Sequence, residues 1–436
     1  MAKPCSEEAI SEKYADFIVE YTGQEAALEA RYHPDCYETL GPQFAVIYKA
    51  LPENGRLSPD AYNYQIVPHP LGLLDTTSME QSGILPVHQS PRPGYRGNGV
   101  MVGIIDTGID YTHPAFMYSD GSTRIVDIWD QGDTSGRFPE GFSYGSVYSR
   151  EDINEALRSD DPYSIVPERD TEGHGTFMAG VMAGSESISD GFIGAAPEAA
   201  IAVVRLKQSK QYLRDYYFIP EGVLAYQEND IMTGVGWLLN LSKQYQMPII
   251  ICIGVGNNLS SHDGSSKLCR FLTNINDTVG AAVVVAAGNE LGLAHHSSGI
   301  IETRDTYTNV ELRVGENEEG FQMELWGVSA DAFSVEIISP EGERINRGPS
   351  RLGQSQTTEL VFEGTTVYIA DKTGETEGGQ FLLVMRFERP SAGIWTMRVY
   401  GDRVLSGRFD IYLPWRNLSA TRRIFLPRIR IRRYLR

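Results

Sequence analysis

The sequence predicts an α/β protein: a parallel sheet flanked by helices, with a small α+β unit before it and an antiparallel β-sandwich after it. Two observations predict the sheet: short, wholly apolar strands such as 100–105 and 281–286, and helical stretches that alternate with them. A third observation predicts the sandwich, because near residue 300 the alternation gives way to short strands separated by turn residues. The 436 residues are enough for two or three packed domains.

Residues 1–74 are predicted to form the small α+β unit. Residues 14–21 and 44–51 are rich in strand-forming side chains, whereas 25–32 consists of good helix formers. The stretch 52–73 is dense in proline, glycine and asparagine, which is typical of a linker.

Residues 75–299 are predicted to form the main α/β domain. Wholly apolar strands are expected where helices cover both faces of a parallel sheet. The predicted strands are 100–105, 200–205, 248–253 and 281–286, and the predicted helices are 175–183 and 231–245.

Residues 300–415 are predicted to form the sandwich, in a jelly-roll-like arrangement inserted into the main domain. Short strands follow one another with turn signals between them, and no helical period interrupts them. The predicted strands are 310–314, 320–325, 333–338, 358–363, 366–370, 379–386, 395–400 and 407–413.

The charge of the chain is unevenly distributed. The net charge is −19, yet residues 411–436 contain eight arginines and no Lys, Asp or Glu, so the other 410 residues carry −19 − 8 = −27. Such an acidic body argues against nucleic acid as a partner. For the Arg-rich tail, 416–436, we hypothesise a frameshifted or non-native translation from about residue 417; the alternative is a natural, solvated basic tail.

The sequence also bears on location and cofactors. No apolar stretch approaches the roughly 20 residues of a membrane span, and the N-terminus lacks a signal-peptide core, so we expect a cytoplasmic protein. Its four cysteines, Cys5, Cys36, Cys252 and Cys269, have no Cys-x-x-Cys spacing and are predicted to be free, mostly buried thiols. No Asp-rich loop has convincing calcium-ligand spacing, so no metal or cofactor is predicted.

Two polar residues stand where a serine-protease mechanism needs them. Asp106 ends an apolar strand and is followed by Thr-Gly, a rigid setting for a carboxylate that orients an imidazole. His174 lies between two glycines at a predicted helix start, where glycine allows close approach of a substrate and a nucleophile. Each has a structural alternative: a capping or turn aspartate, and a buried or capping histidine.

Asn289 is the candidate for binding an oxyanion. It follows a predicted strand and a glycine, and its amide can donate a hydrogen bond to the charge that develops during acyl transfer. The alternative is an ordinary turn residue at a strand end.

Taken in order, these motifs resemble the subtilisin-like serine proteases, the subtilases. Asp106 lies in Asp-Thr-Gly, His174 in Gly-His-Gly-Thr and Asn289 in Ala-Ala-Gly-Asn; the Asp–His–Ser order of subtilisin is the known order of that family. The resemblance implies that Asp106 and His174 are the acid and base of a triad and that Asn289 binds the oxyanion. It also implies that Gly254, Val255 and Gly256 form the strand on which a substrate peptide lies.

The resemblance extends to a subgroup, the clostridial spore-germination (Csp-type) subtilases. It is carried by the long segment between Asp106 and His174, with Arg124–Gln131 and Ile153–Leu157, and by the inserted sandwich. It implies a peptide or protein substrate, a spore association, and an intramolecular propeptide in residues 1–74 with its junction near Leu74.

The nucleophile of the family is missing from these 436 residues. Subtilases carry their serine in Gly-Thr-Ser-x-Ala/Ser-x-Pro, and no Gly-Thr-Ser occurs here. We therefore expect a serine endopeptidase by family that is inactive as this chain stands. The alternative is a pseudoprotease that acts as a protein-binding or regulatory scaffold.

Overall fold

The computed structural model describes residues 5–41, 43–58, 62–73, 84–88, 95–187, 192–290, 292–348, 352–415, 418 and 423–426. The N-terminal unit is a three-stranded antiparallel sheet, ordered β1-β3-β2, with one helix. Its elements, and the two that follow, are β1 (Tyr14–Glu20), α1 (Glu25–Tyr32), β2 (Cys36–Leu40), β3 (Phe44–Ala50), a 3₁₀ turn (Tyr64–Ile66), β4 (Pro70–Leu73) and α2 (Ile84–His88). β1, α1 and β3 match the sequence prediction, whereas β2 was not predicted.

The cysteine prediction is wrong for two of the four residues. Cys5 and Cys36 form a disulfide with their Cα atoms 5.7 Å apart, although 31 residues separate them in sequence. Cys252 and Cys269 are free, but Cys269 is exposed. Cys5 packs in the same apolar cluster as Cys36, a proximity that only the folded chain reveals because no sequence spacing encodes it.

The central domain contains a six-stranded mixed sheet ordered β12-β10-β5-β8-β6-β7, in which only the edge pair β6–β7 is antiparallel. Its strands, with two short strands that lie outside this sheet, are β5 (Met101–Asp106), β6 (Ile125–Asp130), β7 (Ser146–Ser149), β8 (Ala200–Arg205), β9 (Tyr226–Gln227), β10 (Ile249–Ile253), β11 (Val255–Gly256) and β12 (Ala281–Val285). Its helices are α3 (Arg150–Arg158), α4 (His174–Ala183), α5 (Gln211–Tyr217), α6 (Glu228–Tyr245) and α7 (Lys267–Asn276). Every predicted strand and helix of this domain is present.

Alternation along β5 decides which face of the sheet receives which helix. Met101 and Ile105 pack in the apolar cluster that contains α6 and α7, whereas Val102 and Ile104 pack in the cluster that contains α4. Because side chains alternate along a strand, Asp106 points toward the α4 side. Asp106 is therefore aimed at the helix that begins with His174.

At its β12 edge the sheet presents apolar side chains to solvent. Val284 and Val285 are 54% and 52% exposed, and Ile250 on the neighbouring β10 is 44% exposed. Parallel strands are normally covered on both faces, so this edge and its face offer a template for pairing with another polypeptide segment.

The C-terminal half forms two antiparallel sheets around one apolar core, ordered β13-β22-β15-β20-β19-β18 and β17-β16-β21-β14-β23. The strands are β13 (His296–Ile300), β14 (Tyr307–Val314), β15 (Gly320–Gly327), β16 (Ala332–Ile338), β17 (Arg344–Gly348), β18 (Ser355–Leu360), β19 (Thr365–Asp371), β20 (Phe381–Glu388), β21 (Gly393–Arg403), β22 (Arg408–Tyr412) and β23 (Ile424–Phe425). The eight predicted strands are present; β13, β17 and β23 were not predicted. The first of them, β13, begins before residue 300.

Part of the Arg-rich segment is packed rather than solvated. Ile424 and Phe425 pair with β14, Phe425 enters the sandwich core, and Arg423 is buried 3.7 Å from the Glu318 carboxylate. Residues 427–436 lie outside the described part of the chain.

A buried polar network joins the N-terminal unit to the central domain. Lys210 Nζ, almost wholly buried, donates to Asp16 Oδ1 at 2.5 Å and to the Glu8 carbonyl at 2.8 Å. The other carboxylate oxygen of Asp16 accepts from the side-chain amides of Gln227 and Asn229. The unit is thus held by charges that are removed from solvent on both sides of the contact.

Candidate active site

Asp106 is placed by the end of a buried central strand. It is the last residue of β5 and is fully buried, and its Oδ1 accepts from the backbone N–H of Thr107 at 2.7 Å. A carboxylate held in this way has one orientation, which is what a residue that must orient an imidazole requires.

His174 is the first residue of α4, and its Nδ1 lies 2.7 Å from Asp106 Oδ1. The preceding Gly173, at φ +77°, has the left-handed backbone that brings the chain into the helix. With Nδ1–H donated to the buried carboxylate, the other ring nitrogen, Nε2, is the tautomeric position that can take a proton. The structure thus brings the two residues singled out in the sequence into direct contact.

Asp170 locks the two segments together, a role that the sequence reasoning missed. Its Oδ1 accepts from Thr107 Oγ1 and Gly173 N, and its Oδ2 accepts from Thr176 N and Oγ1. Burial raises the pKa of this carboxyl, but the bonds from Thr176 and Thr107 outweigh that effect and bring the pKa below its ordinary value. The sequence carries no capping signal for Asp170, because the N-cap position of α4 is occupied by Gly173 and Asp170 lies three residues before it.

Two glycines, Gly175 and Gly254, allow the backbone to pack closely around the Asp106–His174 pair. From the sequence, Gly175 is expected to leave room for a substrate, whereas in the structure it makes room for a contact within the chain. A Cβ on Gly175 would lie 2.2 Å from the Gly108 carbonyl oxygen, so Gly175 lets α4 touch the loop after β5. A Cβ on Gly254 would lie 2.2 Å from Asp106 Oδ2 and 3.3 Å from His174 Cε1. Gly254 therefore packs directly against both members of the pair.

Replacing Gly254 by alanine is expected to break the Asp106–His174 contact. The added methyl group must displace the carboxylate, at a stability cost of about 1–3 kcal/mol. We expect the low-field proton resonance of the His174 ring N–H to be lost from the NMR spectrum. Gly236→Ala is the matched control, because its Cβ would meet only Phe142 at 3.6 Å; an unchanged resonance in the Gly254 variant would contradict the prediction.

The predicted substrate strand is paired with a strand from the N-terminal region. β4 lies between β11 and β9, with Leu73 opposite Val255 and Gly72 opposite Gly256, in antiparallel register. Val255 is buried, and Gly254 immediately before it contacts the Asp106–His174 pair. An extended segment of this chain thus lies along the strand beside the candidate catalytic residues.

Asn289 lies in the turn that follows β12, with an exposed side chain. β12, β10 and β5 run parallel, so Asn289, Gly254 and Asp106 follow the carboxyl ends of neighbouring strands on one edge of the sheet. The next residue, Glu290, accepts a hydrogen bond at 3.1 Å from the side-chain amide of Asn258 in the loop beyond β11.

Comparison with known proteins identifies the family of this chain. The profile of the subtilase family matches residues 97–380, which is more than half of the chain. The chain belongs to the subtilase family. That range includes Asp106, His174 and Asn289, and the serine-type peptidase class is the class of its relatives.

Three relatives illustrate the similarity of this subtilase to known proteins. It is 30% identical over 128 residues to an intracellular serine protease of Paenibacillus polymyxa, covering 29% of each chain. It is 26% identical over 209 residues to the subtilisin-like protease PopC of Myxococcus xanthus, covering 45% of this chain and 34% of PopC. Among solved structures, the Clostridium perfringens CspB protease matches with a TM-score of 0.65 and 30% identity, over 76% of this chain and 65% of that one. The chain thus spans about a third of the length of the two curated relatives.

No helix in the described part of this subtilase is long and apolar enough to cross a bilayer. Nor does that part of the chain hold a group of three His, Cys, Asp or Glu side chains suited to binding a metal ion.

Sequence reasoning also missed Glu168, which is fully buried beside the Asp106 loop. Its Oε1 accepts from Ile109 N at 3.0 Å, and burial raises the pKa of its carboxyl to about 8. A glutamate in a polar, proline-containing stretch carries no sequence signal of burial, so only the packed structure identifies it.

Proposed function

We propose that this site serves serine-type hydrolysis of peptide bonds. Asp106 orients His174, His174 takes the proton of a hydroxyl nucleophile and returns it to the leaving amine, and Asn289 donates to the oxyanion. The observation that carries the proposal is the 2.7 Å contact between the imidazole at a helix start and the buried carboxylate at a strand end.

The same proposal makes Gly254–Gly256 the strand that binds a substrate peptide. Antiparallel addition of a peptide to a short exposed strand provides backbone hydrogen bonds without dictating the peptide's sequence. The pairing of β4 with Val255 and Gly256 supports this role, because that strand already accepts an extended segment in the required direction.

Residues 1–74 are proposed to be an intramolecular propeptide, with β4 as the segment that occupies the cleft. The pairing of Leu73 with Val255 supports a junction near Leu74, because Val255 directly follows Gly254, which packs against Asp106 and His174. Residues 75–299 would then be the catalytic domain, with 300–415 as a jelly-roll-like insertion and 416–436 as the Arg-rich tail.

The proposal is limited by the nucleophilic serine, which these 436 residues lack. Because no Gly-Thr-Ser occurs in the 436 residues, we expect this chain to bind peptides in the cleft without cleaving them. The same observation favours the second candidate, a pseudoprotease that uses the cleft and the sandwich as a protein-binding scaffold. A cytoplasmic or spore-associated role in germination is also part of the proposal and rests on the similarity to the CspB protease.

A fluorophosphonate probe tests the function. The intact gene product is the translation in which the hypothesised frameshift near residue 417 is corrected. It is expected to be labelled on a serine, and His174→Ala is expected to slow labelling by about 10⁴-fold or more. The 436-residue chain is expected to stay unlabelled. An unlabelled intact gene product would overturn the endopeptidase proposal in favour of the scaffold. A labelled serine within the 436 residues would overturn the claim that these residues contain no nucleophile.

A further inference from the structure

The loop that leaves the proposed substrate strand is seated on the β-sandwich. Residues 257–266 connect β11 to α7. Two contacts from this connection, and one from the first residue of α7, reach residues of the sandwich. Ser260 N donates to Glu324 Oε2 at 2.8 Å, and the His262 ring stacks on Tyr412 with centroids 3.7 Å apart. At the start of α7, Lys267 pairs with Glu377 at 2.6 Å.

Glu324 is an unusual residue to find buried on the face of β15 that points away from the sandwich core. It lies on β15, is fully buried, and its Oε2 accepts from both Ser260 N and Trp326 Nε1. Within the described residues its Oε1 has no hydrogen-bond partner, and no cation forms an ion pair with it. A buried carboxyl without a cation is costly to maintain, and burial raises its pKa to about 7. The hydrogen bonds that Glu324 accepts therefore explain its presence better than any contribution of the carboxyl itself to the stability of the fold.

Ser260 is the residue of this loop whose backbone conformation needs a stabilising contact. Its φ of +83° is in the left-handed region that a non-glycine residue seldom adopts. Only three residues separate Ser260 from Gly256 at the end of β11, so a fixed Ser260 restricts the path of that strand.

A second contact acts on the same loop from the Asn289 turn. Glu290 Oε2 accepts from Asn258 Nδ2 at 3.1 Å and also contacts His295 Nδ1. The His295 carbonyl accepts in turn from Leu413 N, just beyond β22 of the sandwich, at 2.9 Å. The loop after β11 and the Asn289 turn are therefore both tied to the sandwich.

We propose that Glu324 is a positioning residue through which the β-sandwich holds the 257–260 loop, and with it the strand Val255–Gly256, in the shape that accepts a peptide. Its value for catalysis rests on the function proposed above. The sandwich then acts on peptide binding through an N–H···carboxylate contact, without touching the peptide.

Amide hydrogen exchange of the 255–260 segment tests the proposal in the 436-residue chain. Glu324→Met, which keeps the volume and removes the acceptor, is expected to speed exchange there at least 10-fold. Glu324→Gln retains an acceptor oxygen and is expected to stay within about threefold of the parent. Glu318→Gln, a second buried sandwich carboxyl, which faces Arg423, is the matched control and should leave this segment unchanged.

A variant on the loop side covers the case in which Glu324→Met fails to fold. Ser260→Gly suits φ +83° and keeps the N–H, so exchange should stay near that of the parent if Glu324 holds the amide. A large gain in exchange in Ser260→Gly, or none in a folded Glu324→Met, overturns the positioning role.

The intact gene product separates this inference from the proposed function. There, Glu324→Met is expected to raise KM for a peptide substrate about 10-fold while kcat changes less, and Glu324→Gln is expected to restore KM. If the loop responds as expected but the gene product is not labelled by the fluorophosphonate, the proposed function fails and the positioning role stands.

Discussion

Replacing Lys210 by methionine is expected to destabilise the chain by about 3–5 kcal/mol, because it leaves Asp16 as a buried charge without a cation. Asp16 is fully buried, and Lys210 is the cation that lies against its carboxylate, at 2.5 Å. The loss should appear as a lower urea midpoint and as faster proteolysis of residues 5–50, since the pair joins the N-terminal unit to the central domain.

A compensating variant and a surface control sharpen this test. Lys210→Met combined with Asp16→Asn removes both charges and keeps an acceptor for Gln227 and Asn229, so most of the loss should be recovered. Arg96→Met breaks an ion pair with Glu198 whose side chains are 28% and 48% exposed, and it should cost no more than about 1 kcal/mol. A Lys210→Met loss as small as that of Arg96→Met would show that the buried network does not hold the N-terminal unit.

Glu168→Gln is expected to stabilise the fold, and increasingly so as the pH rises. The pKa of Glu168 is about 8 in the folded chain against an ordinary value of 4.5, so between these values the folded state keeps a proton that the unfolded state loses. The stability that this proton contributes is therefore complete below pH 4.5 and falls as the pH rises toward 8.

Measured between pH 5.5 and 8, the advantage of Glu168→Gln over the parent should grow by about 3 kcal/mol, since one pH unit corresponds to about 1.4 kcal/mol. The comparison with the parent is needed because Asp127 and Glu324, whose pKa values burial raises to about 6 and about 7, give the same trend in both proteins. A stability difference that does not change with pH would mean that Glu168 is ionised in the folded chain.

Much of the fold follows from periodicity. The apolar runs that became β5 and β8 are buried between two layers, and the runs after residue 300 suit strands with a single apolar face. Among the elements that sequence analysis missed, β2, β13 and β17 are short and rich in polar or exposed side chains. Their strand conformation depends on their neighbours, because local propensity there is weak.

Residues that act through distant partners could not be predicted in the same way. Asp170 contacts Thr107 only because α4 packs against β5. Gly254 contacts Asp106 only because β10 pairs with β5. The Cys5–Cys36 disulfide and the burial of Arg423 likewise depend on which segments meet.

By itself the sequence determined the order of the layers and the two residues of the candidate catalytic pair, because strand and helix periods and the neighbours of Asp106 and His174 are local properties. The tertiary structure alone decided what surrounds that pair: the pairing of β4 with β11, the carboxylate of Asp170 that bonds to both segments, and Glu324 of the sandwich, which bonds to the 257–260 loop. Gly72 and Gly256, for example, are 256 − 72 = 184 positions apart in the sequence. Hydrogen bonds between such distant residues form only where chain packing brings a donor and an acceptor within about 3 Å of each other.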